Sequence, residues 1–294
     1  MSVNHLAQFN DDGFEITAAE PWFKQKVQII QEYITAFVTN LNRVPRQALP
    51  GNGKIDEIVF VDLFSGSGLY SLGARRDIFM GTPLMVLAQD LPIHRFVFCE
   101  QDTAQLKALK IRVNKYFREK NVMLMEGKPE ELIEKLKLYI PTDRKDYKVA
   151  VFCVCDPFSL DISFDTIERL SQMGFSFLIP FTFALNKDLD YKFYLQQEKG
   201  KVKKYLGGYK DMDHLEKGVQ TNLQFYERLV SIYENNLRTA GLMSTTSMHK
   251  IDSGLMELPT YYIGFFSRNV SNKTMQRDVE PHTRGNLKFL TNKR

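Results

Sequence analysis

The sequence of 294 residues predicts an α/β fold with a mostly parallel sheet at its centre. Apolar segments of strand length alternate five times with segments of helical periodicity, which is typical of parallel sheets joined by right-handed crossovers. Three of the predicted strands end in an acid, at Asp62, Glu100 and Asp156. Two further strands, at 241–249 and 261–266, predict an antiparallel hairpin at one edge of the sheet.

The composition is that of a globular protein, with 44% hydrophobic and 25% charged residues. The net charge of +4 permits contact with a nucleic acid but does not argue for it. We find neither a secretory signal nor an apolar segment of membrane-spanning length, and therefore expect a cytoplasmic protein with no membrane partner. Cys99, Cys153 and Cys155 lie in apolar strand-like segments, which predicts buried, reduced thiols. No cluster of Cys or His accompanies Cys153 and Cys155, so no metal site is predicted.

The N-terminal part of the chain precedes the first strand. Residues 1–19 are polar and aperiodic, and we expect a flexible arm. Pro21 and Trp22 then open a helix, whose apolar stripe continues to Leu41 at helical spacing. The segment 43–53 is rich in Pro and Gly and is predicted to be a loop.

The first strand leads into a loop of small residues that starts with an acid, Asp62-Leu63-Phe64-Ser65-Gly66-Ser67-Gly68. Gly66 and Gly68 carry no Cβ, so the backbone there can approach a ligand closely. Asp62 lies at the carboxyl edge of the predicted sheet, where open α/β folds bind ligands. An acid at this place repels a pyrophosphate and attracts a ligand that is cationic or rich in donors, such as the amino-acid end of S-adenosylmethionine (SAM). The alternative is an ordinary glycine turn after a core strand.

The first crossover is predicted to be long. Residues 74–80 are interpreted as a connector, and 82–91 as a helix with Thr82 as its N-cap. Glu100 ends the second strand 38 residues after Asp62, whereas the comparable spacing in dinucleotide-binding folds is about 20. Glu100 is placed to accept hydrogen bonds from ribose hydroxyls.

The rest of the alternation is regular. The predicted helices are 103–117 with Thr103 as N-cap, 129–138, 164–173 and 223–239, and the predicted strands are 121–125, 149–155 and 175–181. Asp156, Pro157 and Phe158 follow the clearest of these strands. The carboxylate and the neighbouring carbonyls can accept hydrogen bonds from a nucleophilic amine or hydroxyl, and Phe158 can stack on a planar target. The alternative is a helix-capping or turn acid before Pro157.

Residues 184–218 break the alternation and are rich in Lys and Tyr. Basic residues interleaved with aromatic ones can contact a nucleic acid by charge and stacking; a solvated insert with packed tyrosines is the alternative. The segment 192–210 and the preceding Tyr191 would form this contact, through Lys192, Lys199, Lys201, Lys203, Lys204, Lys210, Tyr191, Tyr194, Tyr205 and Tyr209. The basic tail 269–294 is expected to be mobile or to hold a substrate's phosphates.

The segment Asp62 to Gly68 resembles motif I of class I SAM-dependent methyltransferases. A more specific resemblance, from about residue 20 to residue 275, is to the three-Cys-motif partner proteins. The residues that carry it are Trp22 and Lys24, Asp62 to Gly68, Gly81-Thr82-Pro83-Leu84, Phe98-Cys99-Glu100, Asp156-Pro157-Phe158 and Tyr261-Tyr262-Ile263.

The resemblance implies a Rossmann-like class I methyltransferase fold over residues 20–268, with a mostly parallel seven-stranded sheet and a C-terminal antiparallel hairpin. It also implies SAM as cofactor and a protein with a three-cysteine motif as partner. The residues it implies for SAM binding are Asp62, Phe64, Ser65, Gly66, Gly68, Glu100, Gln101 and Gly127. The residues it implies for methyl transfer are Asp156, Pro157 and Phe158.

Two departures from the family pattern leave two functions open. Gly127-Lys128 stands where such enzymes usually have an acid that reads the adenine amine, and Asp156-Pro157-Phe158-Ser159 matches the D-P-P-Y tetrad only in part. One hypothesis is a methyltransferase, acting on a nucleic acid. The other is a non-catalytic partner protein that binds SAM or a nucleotide and keeps the fold.

Overall fold

A computed structural model describes residues 9–43, 55–73, 76–186, 188–208, 210–244 and 248–270, together with Met275 and Val279. The strands are β1 (Thr17–Ala18), β2 (Glu57–Asp62), β3 (Leu69–Leu72), β4 (Arg76–Met80), β5 (Arg95–Glu100), β6 (Val122–Glu126), β7 (Val149–Val154), β8 (Phe175–Pro180), β9 (Met243–Ser244), β10 (His249–Asp252) and β11 (Thr260–Ser267). The α-helices are α1 (Phe23–Arg43), α2 (Thr82–Leu87), α3 (Thr103–Tyr116), α4 (Pro129–Tyr139), α5 (Phe164–Gln172), α6 (Lys199–Leu206), α7 (Lys210–Glu216) and α8 (Asn222–Thr239). A π-helix spans Phe193–Gln197.

The central sheet has the strand order β10-β11-β8-β7-β2-β5-β6. The five strands from β8 to β6 are parallel. β11 runs antiparallel to both β8 and β10, and the two-residue β9 pairs with its end. The predicted fold class is therefore confirmed, a mostly parallel α/β sheet with a C-terminal antiparallel hairpin.

The core forms around buried parallel strands. β2 and β8 are buried along their whole length, as expected for parallel strands covered on both faces. On one face the ring of Phe152 stacks on those of Phe60 and Phe265, with centroids 6.2 and 5.9 Å apart. Phe37 of α1 packs edge-on against Phe152 at 5.1 Å. The N-terminal helix thus covers the middle of the sheet.

The crossover between β2 and β5 contains a hairpin that the sequence does not predict. β3 and β4 pair antiparallel and β1 pairs parallel with β3, which gives a second, three-stranded sheet. The connector predicted over 74–80 is therefore wrong for residues 76–80, which form β4. Gly73, at a φ of 68°, allows the chain to turn there. The expected elongation of this crossover is explained by the hairpin.

Helix α2 is shorter than predicted. Its N-cap is Gly81 and not Thr82, which is the first helical residue. It ends at Leu87 instead of near Leu91. Pro92 disfavours a helical conformation for the residue before it, which accounts for part of the early end.

Residues 9–19, in the stretch expected to be a flexible arm, lie against the domain. Phe9 forms an isolated bridge with Ile78, and β1 lies beside β3. Ile16 is buried in the core. Residues 1–8 lie outside the described part of the chain.

The insert 184–218 folds into the π-helix, α6 and α7. Tyr194 is fully buried and stacks on Phe225 at 5.6 Å. Tyr205 is also buried and stacks on Tyr233 at 4.4 Å. The prediction that these two tyrosines offer stacking faces to a nucleic acid is wrong, because intramolecular rings cover them.

The lysines of the insert differ in their surroundings. Lys199 and Lys201 form ion pairs of 2.7 and 2.8 Å with neighbouring acids. Lys192 and Lys204 are exposed. Tyr209 lies outside the described residues, and so does most of the predicted tail 269–294.

Among the helices that the structure describes, none is both long enough and apolar enough to cross a membrane.

Candidate functional site

Asp62 is the last residue of β2, and it is buried at the carboxyl edge of the sheet. Its Oδ1 accepts a hydrogen bond from the backbone N–H of Phe64 at 3.0 Å, and the Ser65 hydroxyl donates to its carbonyl at 3.1 Å. Burial raises the pKa of Asp62 to about 8; the Phe64 hydrogen bond opposes this rise, and the charges of Asp156 and Glu100 add to it. The carboxyl group of Asp62 therefore titrates near pH 8.

The loop at 63–68, called here the glycine loop, needs its two glycines for its shape. Gly66 and Gly68 have φ angles of 59° and 83°, in the left-handed region that favours glycine. A Cβ on Gly68 would lie 2.8 Å from Cδ1 of Leu109 and 3.0 Å from Cγ of Leu84. Close packing on α2 and α3 therefore adds a second requirement at Gly68.

Glu100, at the end of β5, joins the neighbouring loops. Its Oε2 accepts a hydrogen bond from the N–H of Gly66 at 2.8 Å, and its Oε1 accepts one from the N–H of Asp102 at 2.9 Å. Its carbonyl accepts from the N–H of Gly127 at 3.1 Å. Asp102 caps α3 with its side chain, so the predicted cap Thr103 is wrong. The Glu100 side chain thus links the glycine loop to the turn that follows β5.

Asp156 follows β7, and its carboxylate is already engaged. Oδ2 lies 2.6 Å from Nζ of Lys26, and Oδ1 accepts a hydrogen bond from the Thr182 hydroxyl at 2.9 Å. The side chains of Lys26 and Asp156 are 4% and 9% exposed, so this ion pair is buried. The sequence analysis does not identify Lys26. In this region it names Trp22 and Lys24 instead. The available signal was its place one helical turn after Trp22, within an otherwise apolar stripe.

Aromatic rings surround the Lys26 ammonium. Its Nζ lies 4.1 Å from the ring centre of Phe23 and 5.2 Å from that of Trp22. Trp22 also contacts Tyr261, at 4.9 Å, and Phe23 contacts Tyr70 edge-on at 5.1 Å. Residues from α1, β3 and β11 therefore form an aromatic wall beside the acids.

Tyr70 lies close enough to all three acids for their charges to affect its hydroxyl. Burial raises the pKa of its hydroxyl well above the ordinary value, and the charges of Asp156, Asp62 and Glu100 raise it further. The three acids stand at the carboxyl ends of the adjacent parallel strands β7, β2 and β5. The structure thus brings the three predicted acids together and adds Tyr70, which lies in the hairpin that the sequence analysis missed.

The other predicted site residues differ in exposure. Pro157 is buried, and Phe158 is 77% exposed. Phe158 therefore offers an open ring to a planar molecule. The remaining cofactor candidates are Ser65, which is buried, Phe64 and Gly127, which are partly buried, and Gln101, which is exposed. Lys128 is exposed at the start of α4.

The three cysteines are buried thiols. Cys99, Cys153 and Cys155 are buried and free, and burial raises the pKa of each thiol. Within the part of the chain that the structure describes, no group of three His, Cys, Asp or Glu side chains is arranged to hold a metal ion.

Comparison with known proteins gives structural similarity only. No family model matches the chain, and no curated protein matches it. Solved structures with a similar fold include Trm1 from Pyrococcus horikoshii in complex with SAM, at 12% identity and a TM-score of 0.46, covering 93% of this chain and 64% of that one. They also include a putative methyltransferase, yhhF, from Escherichia coli, at 11% identity and a TM-score of 0.43, covering 90% of this chain and 100% of that one.

A further similar structure is the bifunctional kinase-methyltransferase WbdD, at 10% identity and a TM-score of 0.46. The match covers 86% of this chain and 44% of that one. The chain therefore spans less than half the length of WbdD.

Proposed function

We propose that the chain is a SAM-dependent methyltransferase that binds SAM at the carboxyl edge of β2 and β5. The observation that carries the proposal is the hydrogen bond between Gly66 and Glu100, beside the buried Asp62. This hydrogen bond brings the backbone of the glycine loop, which a ligand can approach closely, next to both Glu100 and Asp62. Two acids beside such a loop suit a ligand with an amino-acid end and a ribose. The motif resemblance and the confirmed fold class support the same assignment.

Each acid has a separate task in this proposal. Asp62 accepts hydrogen bonds from the amino group of SAM, and Glu100 accepts them from the ribose hydroxyls with the lone pairs that the backbone N–H groups leave open. Methyl transfer needs the nucleophile and the donor methyl group held in line. In this proposal, Asp156 and the exposed ring of Phe158, which follow the neighbouring strand β7, hold the nucleophile.

The second candidate is a non-catalytic module of the same fold, and the Lys26–Asp156 ion pair favours it. Both oxygens of Asp156 already have donors, and the ammonium lies where a substrate amine would bind. Lys128, in place of the usual adenine-reading acid, favours it as well. A nucleic-acid contact of the insert and a partner with a three-cysteine motif remain predictions.

Calorimetric titration with S-adenosylhomocysteine (SAH), the product of SAM, tests the shared step. We expect the wild type to bind, and Glu100→Gln to bind roughly ten- to a hundredfold more weakly, because loss of a charged hydrogen-bond partner costs about 1.5–3 kcal/mol. Glu134→Gln is the control, since this acid of α4 is exposed and pairs with Arg169. Absence of binding to the wild type contradicts the SAM site.

A methyl-transfer assay then distinguishes between the enzyme and the non-catalytic binding module. The protein is incubated with methyl-labelled SAM and with nucleic-acid, protein and small-molecule fractions of a cell extract. A methyltransferase labels one fraction, and Asp156→Asn lowers the label. SAH binding without label in any fraction favours the non-catalytic module.

A further inference from the structure

The segment 12–18, called here the N-terminal strap, lies along the glycine loop and β3. β1, within the strap, pairs in parallel register with β3, which directly follows the loop. The Thr17 hydroxyl lies 3.3 Å from the Ser67 hydroxyl and donates to Oε1 of Gln105 at 3.4 Å. A Cβ on Gly66 would lie 3.3 Å from both of those partners, Oγ1 of Thr17 and Oε1 of Gln105. The strap therefore forms one wall against which the loop is packed.

A buried arginine clamps the strap and the loop together. Arg112 of α3 is 0% exposed, and its guanidinium binds Asp12 in bidentate fashion at 2.7 and 2.9 Å. The same guanidinium donates to the carbonyl of Glu15 at 2.8 Å and to the carbonyl of Ser67 at 2.6 Å. Two of its partners thus belong to the strap and one to the glycine loop. Because Arg112 is buried, removal of its counter-charge disturbs all of these bonds together.

We propose that the N-terminal strap is a positioning element of the cofactor site, held on the glycine loop by Arg112, with Asp12 as the residue that locks it. The proposal rests on the proposed SAM site and adds residues that touch no cofactor. With the strap docked, the loop keeps the geometry in which the N–H of Gly66 reaches Glu100. Release of the strap frees the loop and lowers the fraction of chains that are competent to bind.

The test compares two variants that break the same kind of ion pair at opposite edges of the sheet. Asp12→Asn removes the charge that Arg112 binds. Glu57→Gln does the same to Arg95, in a pair that joins the first residues of β2 and β5, at the amino edge. Both variants take the charged partner away from an arginine, buried in the case of Arg112 and partly buried in the case of Arg95, so both are expected to lower the melting temperature.

Only Asp12→Asn is expected to weaken SAH binding. A tenfold rise in Kd follows if the strap is docked in about one tenth of the variant molecules, because apparent affinity scales with the competent fraction. The dissociation constant of Glu57→Gln is expected to stay within about twofold of the wild-type value at a temperature where both variants are folded. Equal weakening in both variants, or none in Asp12→Asn, overturns the inference.

Hydrogen exchange gives a readout that needs no ligand. Peptides covering 63–72 are expected to exchange faster in Asp12→Asn than in wild type, and to be unchanged in Glu57→Gln. Unchanged exchange in Asp12→Asn overturns the clamp even if SAH binds. If the wild type fails to bind SAH but exchange in 63–72 responds to Asp12→Asn alone, the SAM proposal fails while the clamp on the loop stands.

Discussion

Asp62→Asn is expected to remove part of the pH dependence of the unfolding free energy. The native chain keeps a proton on Asp62 up to about pH 8, whereas the unfolded chain releases it near the ordinary aspartate value of 3.8. Between these values the native state holds one more proton than the unfolded state, so stability falls as pH rises. The contribution of the protonated group is complete below pH 3.8 and is lost by about pH 8. Asparagine is neutral throughout and keeps an oxygen for the N–H of Phe64.

The expected size is about 1.4 kcal/mol per pH unit, or about 4 kcal/mol between pH 5 and pH 8. The assay is chemical denaturation of wild type and Asp62→Asn at half-unit pH intervals, with the difference in unfolding free energy plotted against pH. The difference cancels the titration of distant groups, and Glu134→Gln is expected to follow the wild type. A difference between Asp62→Asn and wild type that stays constant from pH 5 to 8 would refute the assignment of a buried, protonated Asp62.

The same proton has a consequence for binding. A ligand ammonium at Asp62 is attracted by the ionised acid, so binding of SAH in the proposed site is expected to release a proton below pH 8. Its affinity then increases from pH 6 to pH 8, and titrations in buffers of different ionisation enthalpy detect the released proton. Asp62→Asn is expected to remove this pH dependence.

Two further predictions concern packing around the site. Lys26→Met leaves the buried Asp156 without its cation and is expected to destabilise the chain by about 3–5 kcal/mol, while the double variant Lys26→Met, Asp156→Leu recovers most of this loss in denaturation experiments. Failure of the double variant to recover stability would contradict the explanation that the loss comes from an unpaired buried carboxylate. Gly68→Ala is expected to cost about 1–3 kcal/mol more than Gly73→Ala, because both have positive φ but only Gly68 would place its Cβ against Leu109. Equal costs for the two glycines would contradict the packing argument.

The strands of the central sheet were predictable because a buried strand shows itself in consecutive residues of the chain. A continuous apolar segment that ends in an acid, as at Glu57–Asp62 and Arg95–Glu100, reports both a buried strand and its carboxyl end. The parallel pairing of β7, β2 and β5 then brings Asp62, Glu100 and Asp156 to one edge. The strands β1, β3 and β4 escaped notice because they are short and because polar residues such as Thr17, Ser71 and Asp77 interrupt their apolar pattern.

The sequence by itself determined the fold class, the glycine loop and the acids at the strand ends, since each depends on residues that are neighbours in the chain. The tertiary structure decided which basic side chain pairs with each buried or partly buried acid. Lys26 neutralises Asp156 and Arg112 locks the strap through Asp12, and the members of each pair are far apart in sequence. Such pairs depend on how α1 and α3 pack against other elements, and a buried charge reveals its partner only when that packing is known.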